Sequence, residues 1–156
     1  MMKAFLFSVL ALTLAFCSSP NEPVKPPLNF KIEISEWAMM VDNLYVITPD
    51  SINIKYNRTP GDESFYTKKL SATEKAAITK ALQAIDLGTL TANYIEDSGV
   101  DCALEYDFTL TVDSTTKVFH IYQTKQDEVF NLVEVVNRCI PKNFQIGYTE
   151  EYFRYE

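Results

Sequence analysis

Leu104-Glu105-Tyr106-Asp107-Phe108-Thr109-Leu110-Thr111-Val112 decides the fold of this 156-residue chain. Leu104, Tyr106, Phe108, Leu110 and Val112 fall on one side of an extended backbone, and Glu105, Asp107, Thr109 and Thr111 on the other. Period-two alternation of this length marks a strand buried on one face and wet on the other. Such a strand belongs in an antiparallel sheet with a helix on its apolar face.

Downstream, Asp113-Ser114-Thr115-Thr116 reads as a turn, and Lys117 to Gln123 returns as the hairpin partner. If Phe119 and Ile121 share the apolar face, His120 lies on the wet face, near Glu105 or Asp107. It is the only histidine. We read it as a cross-strand surface residue, because catalysis would need an identifiable partner group. Upstream, Phe30, Ile32 and Ile34 alternate with Lys31, Glu33 and Ser35 in a first strand that runs toward Met40. Trp37, the single tryptophan, is expected in the core, where large aromatics are mostly found. Leu44 to Thr48 gives a second strand, Pro49-Asp50 a turn, and Ile52, Ile54 and Tyr56 a third strand. A polar loop over 57–64 leads to a short fourth strand from Phe65 to Leu70.

Two stretches change period. Ser71-Ala72-Thr73-Glu74 is a capping box, followed by Ile78, Leu82 and Ile85 on one helical face with Ala77, Ala81 and Ala84 beside them. The small alanines are expected to let this helix sit close to the sheet. It should end near Asp86 to Gly88. A second helix is expected from about Gln126 to Cys139, with Val129, Val133, Val136 and Ile140 on one face and Pro141 as its stop. Between helix and central strand, residues 89–101 read as a connection ending in Glu96-Asp97-Ser98-Gly99-Val100-Asp101. Its acids do not match a calcium loop, since Gly99 occupies a ligand position. The expected architecture is therefore α+β: a mainly antiparallel sheet with two helices packed on one face, in the order β-β-β-(β)-α-β-β-α. The tail carries Tyr148, Tyr152, Phe153 and Tyr155 among Glu150, Glu151 and Glu156. It reads either as an edge strand or as an aromatic contact surface.

The first 29 residues follow a different logic. Ala4 to Phe16 is an apolar run broken only by Ser8 and Thr13, with Lys3 before it. That is shorter than the ~20 residues a membrane-spanning helix needs, and it fits the apolar core of a secretory signal. The run ends in Leu14-Ala15-Phe16-Cys17. Here the sequence resembles a bacterial lipoprotein precursor, matching the lipobox at Leu14, Ala15 and Cys17 and departing from it at Phe16. The resemblance implies that residues 1–16 are a signal peptide and that Cys17 becomes the lipid-bearing first residue of an envelope protein anchored to a membrane. Residues 17–29 then hold Pro20, Pro23, Pro26 and Pro27, four of the chain's seven prolines, in a tether that favours extended backbone. Residues 30–156 remain for a single domain.

With Cys17 lipidated, Cys102 and Cys139 are left, and an exported domain with two cysteines suggests one disulfide between them. Two buried free thiols are the alternative. Two Cys and one His fall one ligand short of a structural zinc set, so no metal and no cofactor is expected. A net charge of −7 disfavours nucleic acid and anionic membrane surfaces as partners. No G-x-S-x-G, H-E-x-x-H, P-loop or dinucleotide glycine pattern is present. These readings point to a non-enzymatic envelope module that binds a protein or glycan ligand, an inhibitor of a secreted enzyme being one form. The alternatives are a small hydrolase using Glu105 and Asp107, or a structural envelope component.

Overall fold

A computed structural model describes residues 28–57, 59, 61–96 and 103–151. Seven strands form one sheet: β1 (Phe30–Ala38), β2 (Val41–Ile47), β3 (Ser51–Asn57), β4 (Glu63–Lys69), β5 (Asn93–Ile95), β6 (Glu105–Val112) and β7 (Thr115–Tyr122). Their spatial order is β4-β3-β2-β1-β6-β7-β5, antiparallel except where β5 runs parallel to β7. Helix α1 (Ala72–Gln83) follows β4, and α2 (Asp127–Asn137) follows β7. The α+β class and the mainly antiparallel sheet agree with the sequence reading. The element order differs in one respect: β5 lies within the stretch read as a connection. A three-residue strand carries too little alternation to announce itself.

The quoted stretch is β6. It pairs with β1 on one side and β7 on the other, Phe108 lying opposite both Ile34 and Phe119. Tyr106, Phe108 and Leu110 are fully buried, as their parity requires. Ile32, Ile34, Ile47, Ile52 and Ile54 continue the same face across β1, β2 and β3. Ile78 and Leu82 of α1 and Val129, Val133 and Val136 of α2 close over it in one apolar cluster. Ala77 and Ala84 do not meet the sheet. Both are exposed, and with Ala81 they border a groove shared with Phe130, Glu134 and Val135 of α2.

Both halves of the capping box at Ser71 and Glu74 are made. Lys68 points from β4 to the helix side and donates to Glu74 and to the Cys139 carbonyl, tying β4 to both helices. The Lys68 ammonium, helped by donors from Ser71, holds the Glu74 carboxyl down at about 2. The same pairing raises Lys68.

After α2, residues 145–148 run back between helix and sheet. Asn137 grips this segment like a strand neighbour: its amide donates to the Ile146 carbonyl at 3.0 Å and accepts from the Ile146 N–H at 2.9 Å. Tyr148 is fully buried against Tyr106, Phe108 and Phe130. Its hydroxyl accepts from the Gln126 N–H at 2.8 Å and donates to the Thr124 carbonyl at 3.1 Å, fixing the start of α2. Tyr148 is thus a core residue that belongs neither to an edge strand nor to a contact surface, the two readings its sequence leaves open. Tyr152, Phe153 and Tyr155 lie outside the described residues, as do Cys17, the leader and most of the tether, and residues 97–102 of the acidic turn.

Candidate functional site

Strand β1 pairs with β2 and β6 without interruption from Ile32 to Trp37, so its parity carries through to its end. Phe30, Ile32 and Ile34 face the helices; Glu36 must therefore face them too, and Trp37 must face away. Glu36 is completely buried, and Trp37 is 41% exposed on the open face. The expectation that Trp37 joins the core is overturned by this register. The same inversion occurs on β2, where Asn43 is fully buried opposite Glu36 while Leu44 is exposed. At this end of the sheet, polar residues point inward and apolar residues outward.

The inner side is a structural lock. Glu36 Oε2 accepts from the Tyr45 hydroxyl at 3.0 Å and from the Gly147 N–H at 3.1 Å. A Cβ on residue 147 would lie 2.9 Å from Leu104 Cδ1, 3.0 Å from Glu36 Oε1 and 3.1 Å from the Tyr106 hydroxyl. Any side chain there must displace these three tips, two of them on the fully buried Glu36 and Tyr106, so close approach favours glycine. Asn43 Oδ1 accepts from the Asn57 N–H at 2.7 Å, holding the end of β3. Glu36 thereby ties β1 and β2 to the returning C-terminal segment.

The outer side is a chain of polar and aromatic contacts. Trp37 Nε1 donates to Asp107 Oδ2 at 3.1 Å. Asp107 Oδ1 lies 2.9 Å from His120 Nδ1, and Glu105 Oε2 lies 3.4 Å from His120 Nε2. The Trp37 and His120 rings are 6.5 Å apart between centroids, tilted by 43°. Register explains the grouping, since Trp37 is opposite Glu105 and Asp107 is opposite His120. The sequence placed His120 on this face near Glu105 or Asp107, and the structure brings it to both. Beside the cluster, Met39 and Met40 form the tip of the β1–β2 hairpin and are 82% and 59% exposed. Leu44, Phe65, Ile95 and Val118 add further exposed apolar side chains.

The arrangement offers an oriented indole face, two carboxylates and a soft apolar tip. It can stack, accept hydrogen bonds and bury methionines. Among the described residues, no group of three or more His, Cys, Asp or Glu is disposed to hold a metal ion. Nor, among them, is any helix long and apolar enough to cross a membrane.

Comparison with protein-family models, with curated proteins and with solved structures returns no match.

Of the two cysteine alternatives, the structure bears on Cys139 alone. Cys139 is a buried free thiol whose Sγ donates to the Val135 carbonyl at 3.3 Å, and burial pushes the thiol up. The Cys139 carbonyl receives Lys68 of β4, which stands four places from β6 in the sheet. Cys102 itself lies outside the described residues. Sequence reasoning missed the Glu36–Gly147 lock and the outward tryptophan. The unbroken parity from Phe30 to Trp37 signals the inward Glu36 and the outward Trp37, but not the partner at Gly147.

Proposed function

We propose that this protein is a non-enzymatic binding module of the bacterial envelope, lipid-anchored through Cys17 and held on the tether of residues 17–29. Its contact surface is the hairpin end of the open sheet face, built from Trp37, Met39, Met40, Asp107 and His120. The observation that carries this reading is the exposure of Trp37 on a helix-free face, where Asp107 orients its ring, next to two exposed methionines. Aromatic residues and methionine are enriched where proteins bind one another, and a tryptophan concentrates binding energy.

Geometry supports the same reading. The tether joins the domain at the Phe30 end of β1, and the tip lies beyond its other end. Nine residues separate them, roughly 26 Å of strand. A partner could therefore be met on the side away from the anchor. The ligand is a protein or a glycan that can cover an indole face and answer two carboxylates; an exposed patch of a secreted enzyme is one such surface.

The test is a photo-reactive amino acid at position 39 of the full-length protein in its native cells. A discrete adduct is expected, weakened by Trp37→Ala and not reproduced when the same group stands at exposed position 76 on α1. No adduct at 39, or the same adducts at both positions, would count against the surface.

A second reading rests on His120 being bracketed by Glu105 and Asp107. A small hydrolase would use these carboxylates for acid–base work. Glu105→Gln and Asp107→Asn would abolish any hydrolytic activity of the purified protein; activity unchanged by both excludes these residues from the chemistry.

A further inference from the structure

We infer that β4 is a self-association edge, through which two copies of this chain pair antiparallel about a two-fold axis at Tyr66. The two ends of the sheet differ in length. β5 closes one end with only three residues, a short and poor template. β4 closes the other with seven residues, and among the described residues its backbone hydrogen bonds run only to β3. A regular edge of that length exposes a row of unpaired N–H and C=O groups unless something guards it.

Lysine is a common guard, and β4 has two. Lys68 does not serve, because it is drawn to the helix side by Glu74 and the Cys139 carbonyl. That leaves Lys69, which has no ion-pair partner among the described residues.

The strand reads Glu63-Ser64-Phe65-Tyr66-Thr67-Lys68-Lys69. Laid antiparallel on its own copy with Tyr66 opposite Tyr66, it sets Glu63 opposite Lys69 twice and Phe65 opposite Thr67 twice. All four of these residues stand on the open face, and Phe65 is 70% exposed there. Acid meets base at both ends of the pairing, and Phe65 gains apolar cover at its centre. Glu63 already meets Lys55 at 3.2 Å, so Lys69 of the second copy would extend an existing pair into a network. Charge complementarity of the edge with itself therefore identifies a second copy as the occupant. The pairing would join two sheets and leave both hairpin tips free.

Sedimentation of the full-length protein in density-matched detergent micelles tests this over a wide concentration range. The wild type is expected to pass from monomer to dimer as concentration rises. Glu63→Lys and Lys69→Glu should each weaken dimerisation about tenfold, because each turns two attractive pairs into repulsive ones. The double variant restores opposite charges and should recover wild-type association. Thr67→Pro should abolish dimerisation while circular dichroism stays native, since proline is tolerated at a free edge. A wild type that stays monomeric throughout overturns the proposal. So does a dimer that ignores the charge reversals and Thr67→Pro, or a double variant no better than the singles.

Discussion

Glu36 and Trp37 are consecutive residues of one strand, yet they meet opposite surroundings. The carboxylate is fully buried, and two donors from β2 and the C-terminal segment converge on one of its oxygens. The indole stands on the open face, held at its N–H by Asp107. From Phe30 to Ser35 of β1 the apolar residue is inside and the polar one outside. At the hairpin end that polarity is reversed, on β1 at Glu36 and Trp37 and again on β2 at Asn43 and Leu44. A buried carboxylate is tolerated when it is hydrogen-bonded, and here it fixes a returning chain segment. The tryptophan leaves 41% of its surface uncovered by the fold. The comparison separates a structural lock from a surface free to bind.

The largest effect should come from the lock. Glu36→Ala leaves the Tyr45 hydroxyl and the Gly147 N–H without their acceptor and should cost about 3 kcal/mol in denaturant unfolding. Gly147→Val should unfold the same corner by collision with Leu104 and Tyr106. On the outer side, Trp37→Ala should weaken partner binding by about 2 kcal/mol, roughly 30-fold, and shift stability by less than about 1 kcal/mol. If Trp37→Ala proves as destabilising as Glu36→Ala, the two faces are not distinct in role.

Next comes the strap at β4. Glu74→Gln should cost about 1 kcal/mol, mainly the partly exposed ion pair with Lys68, since glutamine can keep the capping contact to Ser71. Its pH dependence has a definite sign. Lys68 and Ser71 lower the folded Glu74 to about 2 from an ordinary 4.5. The contribution is therefore fully present above pH 4.5 and is lost as pH falls toward 2. Acid unfolding of Glu74→Gln should lack that component. The smallest effect is expected at Val118, exposed on the open face away from Trp37. Val118→Thr should change stability by no more than about 0.5 kcal/mol.

Much of this arrangement was legible in the chain. The alternation of β6 gave its buried face, the capping box gave the start of α1, and hairpin parity put His120 on the face of Glu105 and Asp107, near one or the other. What misled was residue type. Trp37 was assigned to the core for its size, although Phe30, Ile32 and Ile34 had already fixed its side of the strand. Tail residues carry no periodicity, which leaves Tyr148 between an edge strand and a contact surface; its burial depends on Asn137 and Glu36, which lie 11 and 112 positions earlier in the sequence. The location of Cys139 depends on which strand lies under the end of α2, and strand order is not written in local pattern. β5 was too short to carry a signal.

The most direct measurement is acrylamide quenching of the intrinsic fluorescence, which comes from Trp37 alone among tryptophans. With the native protein, the account predicts emission already shifted toward that of the unfolded chain and substantial quenching. Caesium should quench better than iodide, because Asp107 and Glu105 flank the ring. Binding of a partner to this face should then protect it. Blue-shifted emission that resists acrylamide in the native state would put Trp37 in the core and contradict the division of the two faces.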